Sequence, residues 1–163
     1  MAAGPTYTPI ATTTLGSAAS SVTFSSISGT YTDLILIAMA TNPTGDSDLC
    51  IRFNSDTATN YSSTFIYGTG SSAASVRNSS VSRMRIGRTD AGSAYPNIIQ
   101  IQNYSNSTTY KTAISRSQNS SLVLANVGLW RSTAAITSIT IIDENSYNFS
   151  IGSTFTLYGI AAA

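Results

Sequence analysis

The chain of 163 residues has no histidine, a single cysteine (Cys50), a single glutamate (Glu144) and a single lysine (Lys111). Without histidine, the commonest general base and metal ligand is missing. A Ser-His-Asp or Cys-His arrangement cannot be built within one chain, and neither can a Cys/His zinc cluster. One cysteine excludes an intrachain disulfide. With Glu144 alone, a carboxylate pair for glycoside hydrolysis would need aspartates, and Asp46 and Asp48 read as solvated carboxylates of a polar turn. The same pair, with Asp56, offers oxygen atoms to a calcium ion but lacks the rest of a calcium loop. No Gly-Lys-Ser/Thr phosphate loop occurs. The expectation is a protein that is not an enzyme, with no catalytic residue, no metal and no cofactor.

Charge is also scarce. Eight basic and seven acidic residues leave a net charge of +1, which argues against nucleic acid or an anionic membrane as partner. The longest apolar run, Leu34 to Ala40, is too short to span a bilayer as a helix. The opening Met-Ala-Ala-Gly-Pro has neither a basic nor an apolar region and reads as no signal peptide. What is abundant is Ser, Thr and Asn, at 28, 23 and 11 residues. Thr favours strands and Ser and Asn favour turns, so this polarity suits a β surface. A hydroxyl-rich, nearly neutral surface fits a protein packed in an assembly; a secreted domain is the other reading.

Apolar residues recur with period two between short turn signals, the pattern of a sandwich or barrel. Leu49, Ile51 and Phe53 alternate with polar residues, as do Met84 with Ile86, Ile99 with Ile101, and Phe155 with Leu157. Val123, Ala125, Val127 and Leu129 share one face of a strand, with Leu124, Asn126 and Trp130 on the other. Turns are marked at Asn42-Pro-Thr-Gly, Gly68-Thr-Gly-Ser and Asp90-Ala-Gly-Ser. About nine or ten strands in two sheets are expected, in one domain over residues 1–163, with residues 1–10 as an extended N-terminal arm carrying Pro5 and Pro9. Tyr7 and Ile10 are the anchors by which that arm would clamp a partner; alternatively they begin the first strand. Leu34–Ala40 is apolar on both faces, so its outer face needs a cover from a loop or arm of the chain or from a neighbouring subunit. Arg77, Arg83, Arg85 and Arg88 put half of the positive charge into twelve residues, and Arg83, Arg85 and Arg88 are candidates for an anion- or partner-binding patch or, more simply, a charged outer strand face. Loop tyrosines such as Tyr61, Tyr104 and Tyr110 could stack on sugars or fill interfaces, and Trp130 reads as core.

Two segments carry a resemblance. Leu49-Cys-Ile-Arg-Phe-Asn-Ser-Asp-Thr-Ala-Thr-Asn-Tyr-Ser resembles an RFN-x-D-x-x-x-NYS pattern of small bacteriophage virion proteins, and Gly152-Ser-Thr-Phe-Thr-Leu-Tyr-Gly-Ile is similar to the GS-x-FTLYGI ending of the same group. Tyr7-Thr-Pro-Ile-Ala-Thr-Thr-Thr-Leu-Gly-Ser, Ile101-Gln-Asn-Tyr-Ser-Asn and Trp130-Arg-Ser-Thr-Ala-Ala-Ile also fit, so the likeness runs over most of the chain. The resemblance implies an antiparallel β-sandwich of jelly-roll type in a tailed-phage virion, made in the bacterial host cytoplasm. It implies a capsid decoration (cement) protein bound to the major capsid protein, or else a tail or tail-fibre component with a glycan- or receptor-binding domain. Self-association as a homotrimer is expected from the doubly apolar Leu34–Ala40 strand and the hydroxyl-rich, charge-poor surface, and its seat at threefold positions of the shell is what the resemblance implies. The motif residues transfer no catalytic role. Phe53 is expected in the core, with Asn54 and Asp56 fixing the turn that follows.

Overall fold

The computed structural model describes residues 6–161, and within them every regular element is a strand. The twelve are β1 (Tyr7–Thr14), β2 (Ser21–Phe24), β3 (Asp33–Asn42), β4 (Ser47–Phe53), β5 (Tyr61–Gly68), β6 (Ala73–Val81), β7 (Met84–Ala91), β8 (Tyr95–Gln102), β9 (Lys111–Gln118), β10 (Val123–Trp130), β11 (Ile139–Asp143) and β12 (Thr154–Ile160). They form one mixed, open hydrogen-bonded order, β2-β11-β4-β7-β3-β8-β9-β10-β5-β6, with β12 also on β3 and β1 on β12. Every pairing is antiparallel except β3 with β7, a parallel link of two residue pairs, Thr41 with Asp90 and Asn42 with Ala91. β7 also packs against β5, β8, β9 and β10 without pairing with them.

Twelve strands exceed the nine or ten that periodicity suggests. One of the additional strands is β6, whose Ala-Ala-Ser-Val-Arg-Asn-Ser-Ser-Val has too few apolar residues to alternate, and which stays exposed along most of its length. Another is β1. Residues 7–10, expected within the arm, are the first four residues of a strand whose register runs Tyr7 to Ile160, Thr8 to Gly159 and Pro9 to Tyr158. Pro9 is tolerated because β1 pairs on one side only and carries an irregularity between Pro9 and Ala11. Residues 1–5 of that expected arm lie outside the described residues.

The core follows the alternation. Leu49, Ile51 and Phe53 from β4, Met84 and Ile86 from β7, and Ile139 and Ile141 from β11 meet Leu34, Leu36 and Ala38 from β3, Ile99 and Ile101 from β8, and Phe155 and Leu157 from β12. An aromatic cluster closes one end: the Phe53 ring lies 5.4 Å from Trp130, and Tyr61 stacks on Trp130 at 6.2 Å. Tyr61 is buried, accepts the Phe53 N–H on its hydroxyl at 3.0 Å, and has its pKa pushed up to about 12 by burial. Phe53 is thus in the core, and Trp130 is too, with its indole N–H donating to Asp56 at 2.7 Å. Asp56 fixes the local turn by accepting from the Ala58 N–H at 2.9 Å, whereas Asn54 reaches across to the backbone of Ala135, Thr137 and Ser138.

The doubly apolar strand β3 is flanked on both sides. It sits between β12 and β8, and Ile35, Ile37 and Met39 are shielded by cross-strand neighbours: Tyr158 and Gln100, Thr156 and Ile98, Thr154 and Pro96. Ile37 and Met39 stay half-buried.

Candidate interaction surface

β7 is an edge strand for most of its length, since β4 pairs on one side and β3 reaches only its last residues. Two asparagines from the facing strands bond to backbone groups of Arg85 and Arg88 on it. Asn97 of β8 accepts the Arg88 N–H on Oδ1 at 2.9 Å and donates from Nδ2 to the Arg88 carbonyl at 3.0 Å. Asn126 of β10 donates to the Arg85 carbonyl at 2.7 Å. Both asparagines are buried, and Ser117 supplies a second acceptor for the Arg88 N–H at 3.1 Å. These side chains stand in for a missing strand and protect the edge from pairing elsewhere.

An irregularity between Leu49 and Cys50, opposite Gly87 and Arg85, puts Arg85 and Arg88 on one side of β7 although they are three residues apart. Both reach Asp48, at 2.7 and 2.9 Å, and Arg88 also pairs with Asp46. Arg83, just before the strand, grips Glu144 with two nitrogens at 2.5 and 2.7 Å. The Arg85 guanidinium lies 3.6 Å above the Phe65 ring centroid. Hydrogen bonding and charge from Arg83 hold the Glu144 carboxyl below its ordinary pKa, while burial raises that of Asp48 against the pull of its two arginines. Cys50 is buried beside Glu144, and burial pushes its thiol well up. The three arginines singled out in the sequence are therefore matched by three carboxylates inside the molecule. A small cleft of about 270 Å³, bordered by Asn78, Arg83, Arg85 and Glu144, is where this cluster meets solvent.

Of the other sequence candidates, Tyr7 is 58% exposed and sits edge-on to Tyr158 at 6.5 Å, while Ile10 packs against the core. Among the described residues, no contact or cleft brings these two together with the arginines. The tyrosines are scattered: Tyr61 and Tyr104 are buried and Tyr110 is exposed.

Sequence reasoning missed the most open apolar surface. On the outer face of β9, β10 and β5, Ile114, Val127, Val123 and Ile66 are 46%, 54%, 60% and 60% exposed. Register places them together: one row across the sheet is Ile114, Val127, Thr64 and Arg77, the next Arg116, Ala125, Ile66 and Ser75, and the one after it Gln118, Val123, Gly68 and Ala73. The four aliphatic side chains expose on the order of 400 Å², the size at which a monomer's largest apolar patch is often functional. A shallow groove of about 700 Å³ runs along one end of the strip between Ile66, Ala73, Val123 and Ala125. The signal was present in β10, where Val123, Ala125, Val127 and Leu129 form the more apolar face; that face turns outward, and Leu124, Asn126, Gly128 and Trp130 turn inward.

Against known proteins, no family model and no curated protein matches the chain. A solved structure of a protein of unknown function from Shewanella oneidensis MR-1 aligns with all of this chain and 82% of its own, at 7% identity and a TM-score of 0.22. Similarity at that level carries no assignment of fold or function.

Proposed function

We propose that this domain is a virion structural protein, a capsid decoration (cement) protein that binds the major capsid protein and stabilises the shell. The observation that carries the reading is the uncovered aliphatic face of β9, β10 and β5 on a domain whose remaining chemistry is mostly hydroxyls and charges paired within the chain. Such a surface binds other proteins and is poorly suited to bond-breaking chemistry, so the domain acts by contact and not as an enzyme. The sequence resemblance to phage virion proteins agrees with this reading.

Strand order supports a jelly-roll sandwich as the underlying fold. If the hairpins β5–β6 and β9–β10 are taken as insertions, the remaining strands fall into β1-β12-β3-β8 and β2-β11-β4-β7. In the first set the first strand lies beside the last, and in the second the second lies beside the last but one, which is the wrapping of two Greek keys. Both hairpins then extend the first set past the edge of β7, and the aliphatic face lies on that extension.

Binding only to the assembled shell stabilises it by mass action. Particles lacking the protein should burst at lower temperature than particles to which it is added back; equal burst temperatures would overturn the cement role. A trimer at threefold positions is the assembly this reading expects, and light scattering at high protein concentration measures it. The tail-fibre alternative is separated by copy number: hundreds of copies per particle, judged against the major capsid band on a gel, mean cement, and a handful mean tail.

A further inference from the structure

We infer that the outer face of β9, β10, β5 and β6 docks a different protein, one whose contact surface carries aliphatic side chains flanked by carboxylates. This rests on the reading of the domain as an interaction protein and adds the surface used and the chemistry it recognises. The aliphatic strip is bracketed by Arg116 on the β9 side and Arg77 on the β6 side, both exposed and both on the strip's own face by register. Three strand spacings of about 4.8 Å place them roughly 15 Å apart.

Charge chooses the occupant. Arg52, Arg83, Arg85, Arg88, Arg131 and Lys111 each bond to an oxygen of the chain. Among the described residues, Arg77 and Arg116 make no such bond, and no acidic residue stands in the rows of the sheet that carry them. A partner that dehydrates the strip would answer both guanidinium groups with carboxylates at its rim, gaining charge-assisted hydrogen bonds and orientation. A second copy is a poor complement. Stacking this face on itself brings cations together, and the chain's carboxylates are engaged elsewhere: Asp46, Asp48 and Glu144 by arginines, Asp56 by Trp130, Asp143 by Ser47 and Thr89, Asp33 by Gln100 and the Asn103 N–H, and Asp90 by Ser120 and the Ala91 N–H. A lipid surface is poorer still, because two cations and a flat aliphatic strip fall short of the polybasic or deeply inserted signals that hold a protein on a membrane.

The test uses the full chain with a photo-crosslinking amino acid at Thr64 within the face, or at Thr23 on β2 as control, mixed with purified particles lacking the protein and with phosphatidylglycerol vesicles. The expected result is crosslinking from position 64 to one particle protein, at a segment holding aspartate or glutamate among aliphatic residues. Arg77→Glu with Arg116→Glu should lower the yield by roughly tenfold or more, and the paired Lys replacements by much less. Both arginines are exposed, so thermal melts of the variants should match the wild type. Crosslinks to a second copy or to vesicle lipid, or equal yields from wild type and the double Glu variant, overturn the inference. Crosslinking to the particle from position 23 but not from 64 overturns this surface and leaves the virion role standing. Crosslinking from 64 to a tail protein overturns the cement role and supports the surface. No crosslink from either position overturns both.

Discussion

Asn97 and Gly87 act as a pair. A Cβ at Gly87 would lie 1.9 Å from Asn97 Oδ1 and 3.2 Å from Ser117 Oγ, so the glycine is what allows the amide to reach the β7 backbone. Gly87→Ala should push the amide off its partners and cost about 2–4 kcal/mol, combining overpacking with unsatisfied backbone groups. Asn97→Ala should cost about 1–3 kcal/mol by leaving the Arg88 C=O without its partner in a buried place, while the N–H keeps Ser117 as acceptor. Urea denaturation of each variant checks both; a loss under 0.5 kcal/mol, on the order of an ordinary surface change, would mean that solvent replaces the amide. Glu144 adds a pH dependence. Its folded pKa is depressed by Arg83, so its contribution is present above the ordinary glutamate value of about 4.3 and is lost as pH falls through the lower folded value. Glu144→Gln should therefore flatten the fall in stability below about pH 4.3, as read from urea midpoints across that range.

Among the elements, β3 and β6 are opposites. β3 lies between β12 and β8 with its inner residues fully buried, whereas β6 pairs with β5 alone and is exposed along most of its length. Amide hydrogen exchange should find β6 the first of these strands to open and β3 the last, because local opening is easiest where few apolar contacts hold the backbone. Similar protection in both would show that β6 is cooperative with the core. Deleting residues 1–10 removes the first half of β1 with its pairs to Tyr158, Gly159 and Ile160, and also Ile10 from the core margin. The truncated domain should melt several degrees lower. These elements also mark how far the sequence could be read. Alternation located β4, β7, β8 and β12 and their buried sides, since one face of each is plainly apolar. In β10 both faces are apolar enough to be core, and only tertiary packing decides that Asn126 and Gly128 go inside: the asparagine serves the β7 edge, and a Cβ at Gly128 would lie 2.3 Å from the Met84 sulfur. The ion pairs of Arg85 and Arg88 depend on the irregularity in the β4–β7 register, which no residue spacing announces. Arg116 stood outside the basic cluster in the sequence and drew no attention there, and its importance comes from its cross-strand neighbours.

At the scale of the whole molecule, most charges are paired within the chain at partly buried places, where salt screens them less than exposed ones, so salt should change the domain's stability, read from urea midpoints, less than it changes the proposed docking through the exposed Arg77 and Arg116. The β1–β12 pairing has a different consequence. It brings Thr6 and Ala161 together through a backbone hydrogen bond of 3.2 Å, making the described ends neighbours in space although they are the farthest apart along the chain. Joining them with a short linker and opening the chain in the exposed Thr69–Ser72 turn would keep every strand pair, because that turn links only β5 to β6. In the rearranged chain the most remote pairing becomes a local hairpin, closed at far lower entropic expense. Such a circular permutant should reach the same fold, as judged by its near-ultraviolet dichroism, and should refold faster than the parent if closing β1 onto β12 belongs to the slow step. An unchanged rate would place that step in the pairing of β3 with β8 or in the packing of β7 against the strands that face it.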